Sequence, residues 1–427
     1  MKQSGVVLRL GRMMQACGAG SYRIKASMAR LAAAVGLDRH EAQVTLTEIT
    51  TSSYAGEYFR TEVTEQRAVG VNALRLDELR RLVRNLKPGT LVEDVHVELD
   101  RIEAMKPLYG PLANAAASGV ACAGFAFLNG GGWVECLTVL VAAFVGQALR
   151  RWMLHRHVNH FGVWMACGFV AAGFYIGIVS ALASAGVIGW GHQAGVVSSI
   201  LFLIPGFPMV TAMLDLARQD FSAAISRAAY VILVMASAGV AVWAVTHAFQ
   251  WDVYAPAHFA PHNVYLVNVL RVLTSFVAAY GFAMLFNSPH KVAFVAACVG
   301  GVVNTARIVA VKDLHVPWHL GVGLAALTIG LLATLLSERS SYSRVTLSVP
   351  AIVIMIPGVP FYQALTNLND GNFISAMGNI SEVMFVVTAI GVGLALSRIL
   401  TDPGWRYDTA TSTLPGLRAN KARHEVR

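Results

Sequence analysis

Two short proline motifs lie in the middle of long apolar runs, where they interrupt the backbone hydrogen bonding of a helix. They read IPGFP at residues 204–208 and IPGVP at residues 356–360. Proline lacks a backbone N–H and clashes with the preceding turn, and the glycine beside it permits a sharp bend. The backbone groups freed at such a break can bind the carboxylate and ammonium groups of a zwitterion. The predicted binding residues in the motifs are Pro205, Gly206, Pro208, Pro357, Gly358 and Pro360.

Charged residues within the apolar part of the chain are candidates for proton transfer. Glu382 lies about two turns into the last apolar run, where a carboxylate is costly unless it is protonated, paired or hydrated. We interpret it as the first candidate for a proton carrier, with an interfacial position as the alternative. Asp215 and Asp220 follow the first motif and are further candidates, although an ordinary salt-bridged loop explains them equally well. Arg150 and Arg307 end apolar runs, and we expect them to anchor these runs by snorkelling.

The composition indicates a membrane protein. The chain has 427 residues, of which 56% are hydrophobic and only 13% are charged, whereas soluble domains carry roughly 25% charged residues. About half of the charged residues precede position 107, so the rest of the chain is poor in charge. The net charge of +9 is scattered over loops and the C-terminal tail, which does not indicate nucleic-acid binding. The five cysteines form no paired motif, and we expect no disulfide framework, metal site or cofactor.

Residues 1–106 are expected to form a small cytoplasmic α+β domain, since no signal peptide precedes them. Two amphipathic helices are predicted around a glycine-rich break, with Ser21 as the N-cap of the second helix. Strands are predicted within residues 42–52 and 56–66, and two further helices follow them. Ser21 and Lys25 have the spacing of a catalytic Ser–Lys pair, but an N-cap and a surface lysine explain them better.

Ten apolar segments follow residue 107, and each has about 17–25 residues, which is enough to cross a hydrocarbon core of about 30 Å. They lie near residues 112–129, 133–149, 161–185, 192–214, 226–248, 264–286, 291–310, 319–337, 345–366 and 376–398. Every loop on the N-terminal side of the membrane contains lysine or arginine, whereas the opposite loops contain one basic residue, Lys312. The positive-inside rule therefore predicts that both termini are cytoplasmic.

The two proline motifs also mark an internal repeat. Each motif lies in the fourth span of a set of five, and GFAFLN at residues 124–129 resembles GFAMLFN at residues 281–287. Because five is odd, the second copy inserts upside down relative to the first, which is a recurring plan of secondary transporters. The expected parts are a first repeat over residues 107–257, a second repeat over residues 258–401 and a basic cytoplasmic tail over residues 402–427.

The predicted fold class is thus an α-helical polytopic membrane protein with ten transmembrane helices, arranged as two inverted five-helix repeats. The small N-terminal α+β domain precedes these repeats. Polar residues at equivalent positions of the two repeats are further candidates for substrate binding, and they are Asn129, Asn287, Gln147 and Asn304.

Several segments resemble the threonine/serine exporter family. They are GAGSYRIKASMARLAAAVGL, AVGVNALRLDELRRL, FLNGGGW, LIPGFPMVTAMLDLARQD and MIPGVPFYQAL, and the resemblance extends over residues 5–400. It implies a ten-span carrier of the bacterial inner membrane that exports small hydroxy amino acids with the proton motive force. Related two-protein versions are associated with dicarboxylate export, so the family leaves the substrate open. Where the family pattern often has an acidic residue, this chain has Lys25.

The leading hypothesis is a proton-coupled secondary exporter of threonine, serine or similar small amino acids, without enzymatic activity. Its partners would be the amino acid, protons and the lipid bilayer, with homo-oligomerisation left open. One alternative is an exporter of a dicarboxylate such as succinate. Another is a membrane-anchored sensor or enzyme that acts through residues 1–106, although the sequence offers no nucleophile–base constellation for it. A channel is the third alternative.

Overall fold

The computed structural model describes residues 2–66, 70–192, 195–251, 263–340 and 342–406 of the chain. These residues are mostly helical, with one small sheet near the N-terminus. The predicted boundary between the two repeats, at residues 257 and 258, lies outside the described residues, and so does the predicted tail beyond residue 406.

The N-terminal unit, which we define as residues 2–103, contains four helices and one antiparallel sheet with strand order β1-β2-β3. The elements are α1 (Lys2–Ala16), α2 (Ser21–Ala34), β1 (Arg39–Val44), β2 (Glu48–Ala55), β3 (Tyr58–Glu65), α3 (Ala73–Asn85) and α4 (Val92–Glu103). The chain turns between α1 and α2 at Gly18, whose φ of +86° is favourable only for glycine. The four predicted helices of this region are therefore confirmed.

The sheet has three strands where the sequence pattern predicted two. The first predicted strand, residues 42–52, contains a tight turn, in which the N–H of Thr45 donates to the carbonyl of Glu48 at 2.9 Å. The Thr45 hydroxyl also accepts a hydrogen bond from the N–H of Glu48 at 3.0 Å. The turn is built from threonine and glutamate instead of glycine or proline, and the continuous β-branched run therefore concealed it.

Ten predicted spans correspond to eight long helices and two bent pairs of shorter helices in the described part of the chain. The long helices are α5 (Pro111–Leu128), α6 (Trp133–His155), α7 (His160–Ser184), α10 (Phe221–Ala248), α11 (Val264–Leu285), α12 (His290–Lys312), α13 (Trp318–Glu338) and α16 (Phe373–Thr401). Each is long and apolar enough to cross a membrane, and counting each bent pair as one span raises the number to ten. The chain is thus built as a multi-pass membrane protein.

The two bent pairs coincide with the predicted fourth and ninth spans. The first pair runs from α8 (Gly195–Ser198) through a 3₁₀ turn (Leu201–Leu203) to α9 (Gly206–Ala217), and its two parts meet at 65°. The second pair joins α14 (Arg344–Val353) to α15 (Gly358–Asn369) at 51°. A short helix, α17 (Pro403–Arg406), follows α16.

Helices α5 and α11 pack closely through two glycines, which occupy matching positions in the two GFA segments. A Cβ atom on Gly124 would lie 2.8 Å from the carbonyl oxygen of Thr274, and one on Gly281 would lie 2.6 Å from that of Ala117. Gly124, near the end of α5, contacts the middle of α11 at Thr274, whereas Gly281, near the end of α11, contacts Ala117 near the start of α5. The helices α5 and α11 therefore run antiparallel. Only glycine permits this backbone contact without displacing a helix.

The same exchange of contacts joins α10 to α15 and α16 to α9. Gly239 on α10 packs against the Leu365 side chain, and Gly391 on α16 lies where a Cβ would be 2.9 Å from the Cβ of Met213. The two glycines are 152 residues apart, and so are Met213 and Leu365. The two proline motifs have the same separation.

The N-terminal unit is packed against the membrane helices and shares a continuous hydrophobic core with them. Backbone and side-chain hydrogen bonds also cross this boundary. The N–H of Ala73 donates to the carbonyl of Phe286 at 2.9 Å, and Arg80 Nη1 donates to the carbonyl of Tyr342 at 2.8 Å. These two bonds tie the unit to the second membrane half, and a hydrogen bond from the N–H of Ser21 to the Asp215 carboxylate at 3.0 Å ties it to the first. The position of the unit is therefore fixed relative to both broken spans.

Candidate functional site

The two proline motifs adopt the same backbone conformation. Pro205 has φ −79° and ψ 59°, and Pro357 has φ −79° and ψ 66°. The N–H of the glycine after each proline donates to the carbonyl of the isoleucine before it at 2.8 Å, which closes an inverse γ-turn. A new helix then begins at Gly206 in one motif and at Gly358 in the other.

Only the first proline of each motif interrupts the helix. Pro208 and Pro360 are the third residues of α9 and α15, where the backbone N–H has no helical partner in any case. Their rings therefore remove no hydrogen bond, and they favour the start of the new helix. The second proline of each motif therefore lies inside the new helix and does not contribute to the break.

The two breaks pack directly against each other. A Cβ on Gly206 would lie 2.7 Å from Cγ2 of Val353, and one on Gly358 would lie 2.7 Å from Cδ2 of Leu201 and close to Ile204. Residues 195–207 and 345–358 are buried throughout. The two helix N-termini, which sequence analysis assigned to substrate, thus meet in the centre of the protein.

Side chains from α6 and α7 hold the carbonyl groups at the first break. The Phe202 carbonyl accepts a hydrogen bond from Arg150 Nη1 at 3.4 Å, and the Leu203 carbonyl accepts one from Trp164 Nε1 at 2.7 Å. The guanidinium group of Arg150 also lies 4.3 Å from the centre of the Trp164 ring. The snorkelling expectation for Arg150 is therefore wrong, because its side chain turns inwards to the break.

Gln147 and Asn304, which were predicted from the repeat, occupy equivalent surroundings. Gln147 Nε2 donates to Asn114 on α5 at 2.7 Å, and Asn304 Nδ2 donates to Ser275 on α11 at 2.9 Å. Each amide oxygen accepts from the arginine one turn later, at 3.4 Å from Arg150 and at 3.0 Å from Arg307. The two amides thus connect the first and second helices of their halves.

Asn129 and Asn287 lie in unrelated surroundings, although their sequence motifs correspond. Asn129 Nδ2 donates to the Ser198 hydroxyl at 3.2 Å, next to the first part of the broken span. Asn287 has φ +57°, and its Nδ2 donates to Asn72 of the N-terminal unit at 2.9 Å. The structure does not bring these two predicted residues together.

Asp215 and Asp220 connect the end of α9 to the N-terminal unit. Asp215 is buried and accepts a hydrogen bond from the N–H of Ser21 at 3.0 Å, and Arg227 Nε lies 3.1 Å from its other oxygen. Asp220 forms an ion pair with Lys25. Gly20 precedes α2 as its N-cap, so the prediction of Ser21 at that position is wrong. Ser21 instead directs its N–H to Asp215.

Glu382 lies on α16 in a shallow groove, far along the chain from the other acidic candidates. The groove is also lined by Trp318, His319 and Phe385. The side chain is half-buried, and within the described ranges it makes no hydrogen bond or ion pair. Its surroundings are compatible with both the proton-carrier interpretation and the interfacial one.

A buried carboxylate on α6 was not predicted from the sequence. Glu135 on α6 accepts a hydrogen bond from the N–H of Gly132 at 2.9 Å and lies 2.8 Å from His192 Nδ1. The Tyr175 hydroxyl donates to the His192 carbonyl at 2.8 Å and fixes the segment that precedes α8. An acid three residues after a helix N-cap is a capping signal, and that spacing in GGGWVEC could have identified Glu135.

A group of charges that was not predicted from the sequence lines a cavity of about 270 Å³ between the N-terminal unit and the membrane helices. Its walls come from α2, α3, α9, α14 and the segment from α16 to α17. We call it the arginine cavity, because its lining includes Arg23, Arg80, Arg344 and Arg398. No sequence motif predicts this cavity, because each arginine belongs to a different helix.

These features define a multi-pass membrane protein with two broken spans packed against each other, and comparison with known proteins identifies its family. A family model described as "Putative threonine/serine exporter" matches residues 5–249, and a second model, described as "Threonine/Serine exporter, ThrE", matches residues 271–400. The chain therefore belongs to the threonine/serine exporter family.

Individual relatives differ in what their names say they carry. The chain is 25% identical over 417 residues to a Mycobacterium tuberculosis protein named "Probable threonine/serine exporter", covering 93% of this chain and 76% of the relative. It is 24% identical over 237 residues to an Escherichia coli protein named "Probable succinate transporter subunit YjjP", covering 55% of this chain and 90% of the relative. A Klebsiella aerogenes protein of the same name is 25% identical over 211 residues, covering 49% of this chain and 80% of the relative. No solved structure matches the chain.

Proposed function

We propose that the protein is a secondary active exporter of threonine, serine or similar small amino acids, driven by the proton motive force. The observation that carries this proposal is the direct packing of the two broken spans in a chain of the exporter family. Paired broken helices supply free helix ends to a solute without exposing backbone groups to lipid. The protein would act in the bacterial inner membrane, with both termini in the cytoplasm.

The proposed architecture consists of two inverted repeats, residues 107–257 and 258–401, after a cytoplasmic domain of residues 1–106 and before a basic tail of residues 402–427. Three exchanged glycine contacts support a two-fold relation between the repeats. Each involves two equivalent glycines, and each glycine contacts a helix of the other repeat. The equivalent glycines are Gly124 and Gly281, Gly206 and Gly358, and Gly239 and Gly391. An exchange of this kind is expected when a two-fold axis relates the partners.

The proposed substrate site is the crossing of the broken spans. The N-termini of α9 and α15, at Gly206 and Gly358, would bind the carboxylate of the amino acid. The carbonyl groups of Ile204 and Ile356 would accept hydrogen bonds from its ammonium group. Since the two breaks are in contact, the substrate requires them to separate, and their separation and contact would be the alternating steps of transport.

The proposed proton carriers are Glu382, Asp215 and Asp220, with Glu382 first. A lone carboxylate on an apolar helix can be protonated without leaving a cation unpaired, whereas Asp215 and Asp220 already balance Arg227 and Lys25. This difference favours Glu382 as the group that changes its protonation state during a transport cycle.

The second candidate function is export of a dicarboxylate such as succinate, which the names of the Escherichia coli and Klebsiella aerogenes relatives suggest. Proteoliposomes loaded with labelled threonine would test the two functions, with and without an imposed pH gradient. We expect gradient-dependent threonine movement that unlabelled serine inhibits and succinate does not. Movement of succinate without movement of threonine would favour the second candidate.

A further inference from the structure

The arginine cavity has more positive than negative charge in its lining. Four arginines contribute to it, and the acidic residues in the lining are Asp215 and Asp402. The Asp215 carboxylate is already paired with Arg227, which does not line the cavity. Asp402 Oδ2 lies 3.9 Å from Arg344 Nη1. The charges of the other lining arginines are thus not balanced within the cavity wall.

Two of the arginines are already engaged with the protein. Arg80 Nη1 donates to the carbonyl of Tyr342 at 2.8 Å, and Arg344 Nη1 donates to the Thr401 hydroxyl at 3.3 Å. The guanidinium groups of Arg23 and Arg398, in contrast, make no hydrogen bond or ion pair with the part of the chain that the structure describes. Each guanidinium group has five N–H donors in a planar fork that matches an oxyanion.

The environment of these two arginines is unfavourable for a cation without a counterion. Burial lowers the pKa of Arg23 to about 10, the nearby charges of Arg80 and Arg344 act in the same direction, and the carboxylates of Asp77 and Asp402 offset these effects only in part. Arginines that share a desolvated space without acceptors stabilise the fold poorly, because desolvation and repulsion both oppose their charges. An oxyanion in the cavity would remove both costs at once.

We propose that the arginine cavity is a binding site for a small dianion, held by the guanidinium groups of Arg23 and Arg398. Two negative charges match the two lining guanidinium groups, those of Arg23 and Arg398, that have no partner in the described part of the chain. A zwitterionic amino acid has no net charge and does not meet this requirement. The site is therefore distinct from the proposed amino-acid site at the crossing of the broken spans. A dicarboxylate and hydrogen phosphate share this chemistry.

The position of the site links three parts of the protein. Arg23 belongs to the N-terminal unit, Arg398 to the last membrane helix, and the cavity also contacts α9 at Thr211 and α14 at Val345. A dianion that bridges Arg23 and Arg398 would hold the N-terminal unit against α16, next to the ends of both broken spans that line the cavity. Binding to the folded protein alone raises its stability with ligand concentration, so a bound dianion should stabilise this arrangement.

The test uses the full-length protein in detergent, with sodium succinate and sodium phosphate as probes at constant ionic strength. Threonine and chloride serve as the zwitterion and monovalent comparisons. We expect at least one dianion to bind in titration calorimetry and to raise the apparent melting temperature. Succinate and phosphate are then separated by their relative affinities. Threonine alone binding, or no dianion binding, would overturn the proposal.

Variants locate the binding in the cavity. We expect R23Q and R398Q to weaken dianion binding at least tenfold, while R12Q, which removes an exposed arginine outside the cavity lining, leaves it unchanged. Without ligand, R398Q should be at least as stable as the wild type, because it relieves repulsion in the cavity. A purely structural role predicts the opposite. R398K serves as a second variant that keeps the charge and loses the planar fork. Unchanged affinity in both R23Q and R398Q would contradict the assignment.

Discussion

The carboxylate of Asp215 accepts a hydrogen bond from the backbone N–H of Ser21 across 194 residues of sequence, at a distance of 3.0 Å. Ser21 is the first residue of α2, and Asp215 lies in the last turn of α9, which completes the first broken span. The bond is buried at both ends. The N-terminal unit is thus in direct contact with the helix that is proposed to move during transport.

The ion pair between Asp215 and Arg227 should be essential for stability. We expect D215N to lower the free energy of unfolding by about 3–5 kcal/mol, because it leaves a buried guanidinium group without its counter-charge. The double variant D215N/R227M should recover most of this loss. Apparent melting temperatures of the purified variants measure both effects. A D215N protein as stable as the wild type would show that the pair is not structural, and Asp215 would then become the stronger proton-carrier candidate.

The contact between α5 and α11 should not tolerate a side chain at Gly281. We expect G281A to destabilise the protein by about 1–3 kcal/mol, because the added Cβ would meet the Ala117 carbonyl oxygen at 2.6 Å and backbone atoms cannot rotate away. G173A on α7 is the matched control, since a Cβ there meets nothing within 4 Å. Thermal unfolding in detergent should show G173A equal to or slightly above the wild type. Equal stability of G281A and G173A would argue against the close packing.

The docking of the N-terminal unit should depend on pH through Asp77. Burial raises the pKa of this carboxyl from 3.8 to about 6, although Ser343 and Thr346 donate hydrogen bonds to it. The charged side chains of Arg23, Arg80 and Arg344 also lie near the Asp77 carboxyl group. The folded protein binds the proton more tightly than the unfolded chain does. The contribution of Asp77 to the free energy of unfolding is therefore greatest below about pH 4 and falls as the pH rises to about 6.

Melting curves between pH 4 and 7 test this sign. We expect the apparent stability of D77N to depend less on pH in this window than that of the wild type, because the amide keeps an acceptor for Ser343 and does not titrate. Parallel pH profiles for the two proteins would exclude Asp77 as the titrating group.

Replacement of Glu382 should separate proton coupling from substrate movement. We expect E382Q to lower gradient-driven threonine flux to the level measured without a gradient, while exchange of internal for external threonine continues. The reason is that glutamine has the size of glutamate and cannot carry a proton. E338Q, an exposed acid at the end of α13, is the control and should keep the gradient-driven flux. Full gradient dependence in E382Q would remove Glu382 from the mechanism.

The parts of the fold that could be predicted from the sequence depend on residues that are close together in the chain. Hydropathy located the spans, because a helix in lipid must be apolar over its whole length, and the Pro–Gly pairs located both breaks. The missed turn between β1 and β2 has a different cause. Thr45 closes that turn with its hydroxyl and its backbone N–H, which both bond to Glu48. In the sequence, a threonine that closes a turn cannot be distinguished from a threonine within a strand.

The contacts of the site residues could not be predicted from the neighbouring sequence. Arg150 was expected at the lipid interface, and no property of its own helix indicates that it reaches the Phe202 carbonyl. The arginine cavity depends on helices that meet only after the N-terminal unit has docked. Such groupings arise from tertiary packing, and one sequence alone cannot supply them.

The most direct test of the proposed transport site is to lock the two helix breaks together. Cysteines introduced as I204C and G358C, in a chain whose native cysteines are replaced, would be bridged by oxidation or by a short bifunctional thiol reagent. Threonine flux is then measured in proteoliposomes before bridging, after bridging and after reduction, with each single-cysteine variant as a control. We predict that bridging abolishes threonine flux and that reduction restores it. Undiminished threonine flux through a fully bridged protein would contradict a transport site that opens between the two broken spans.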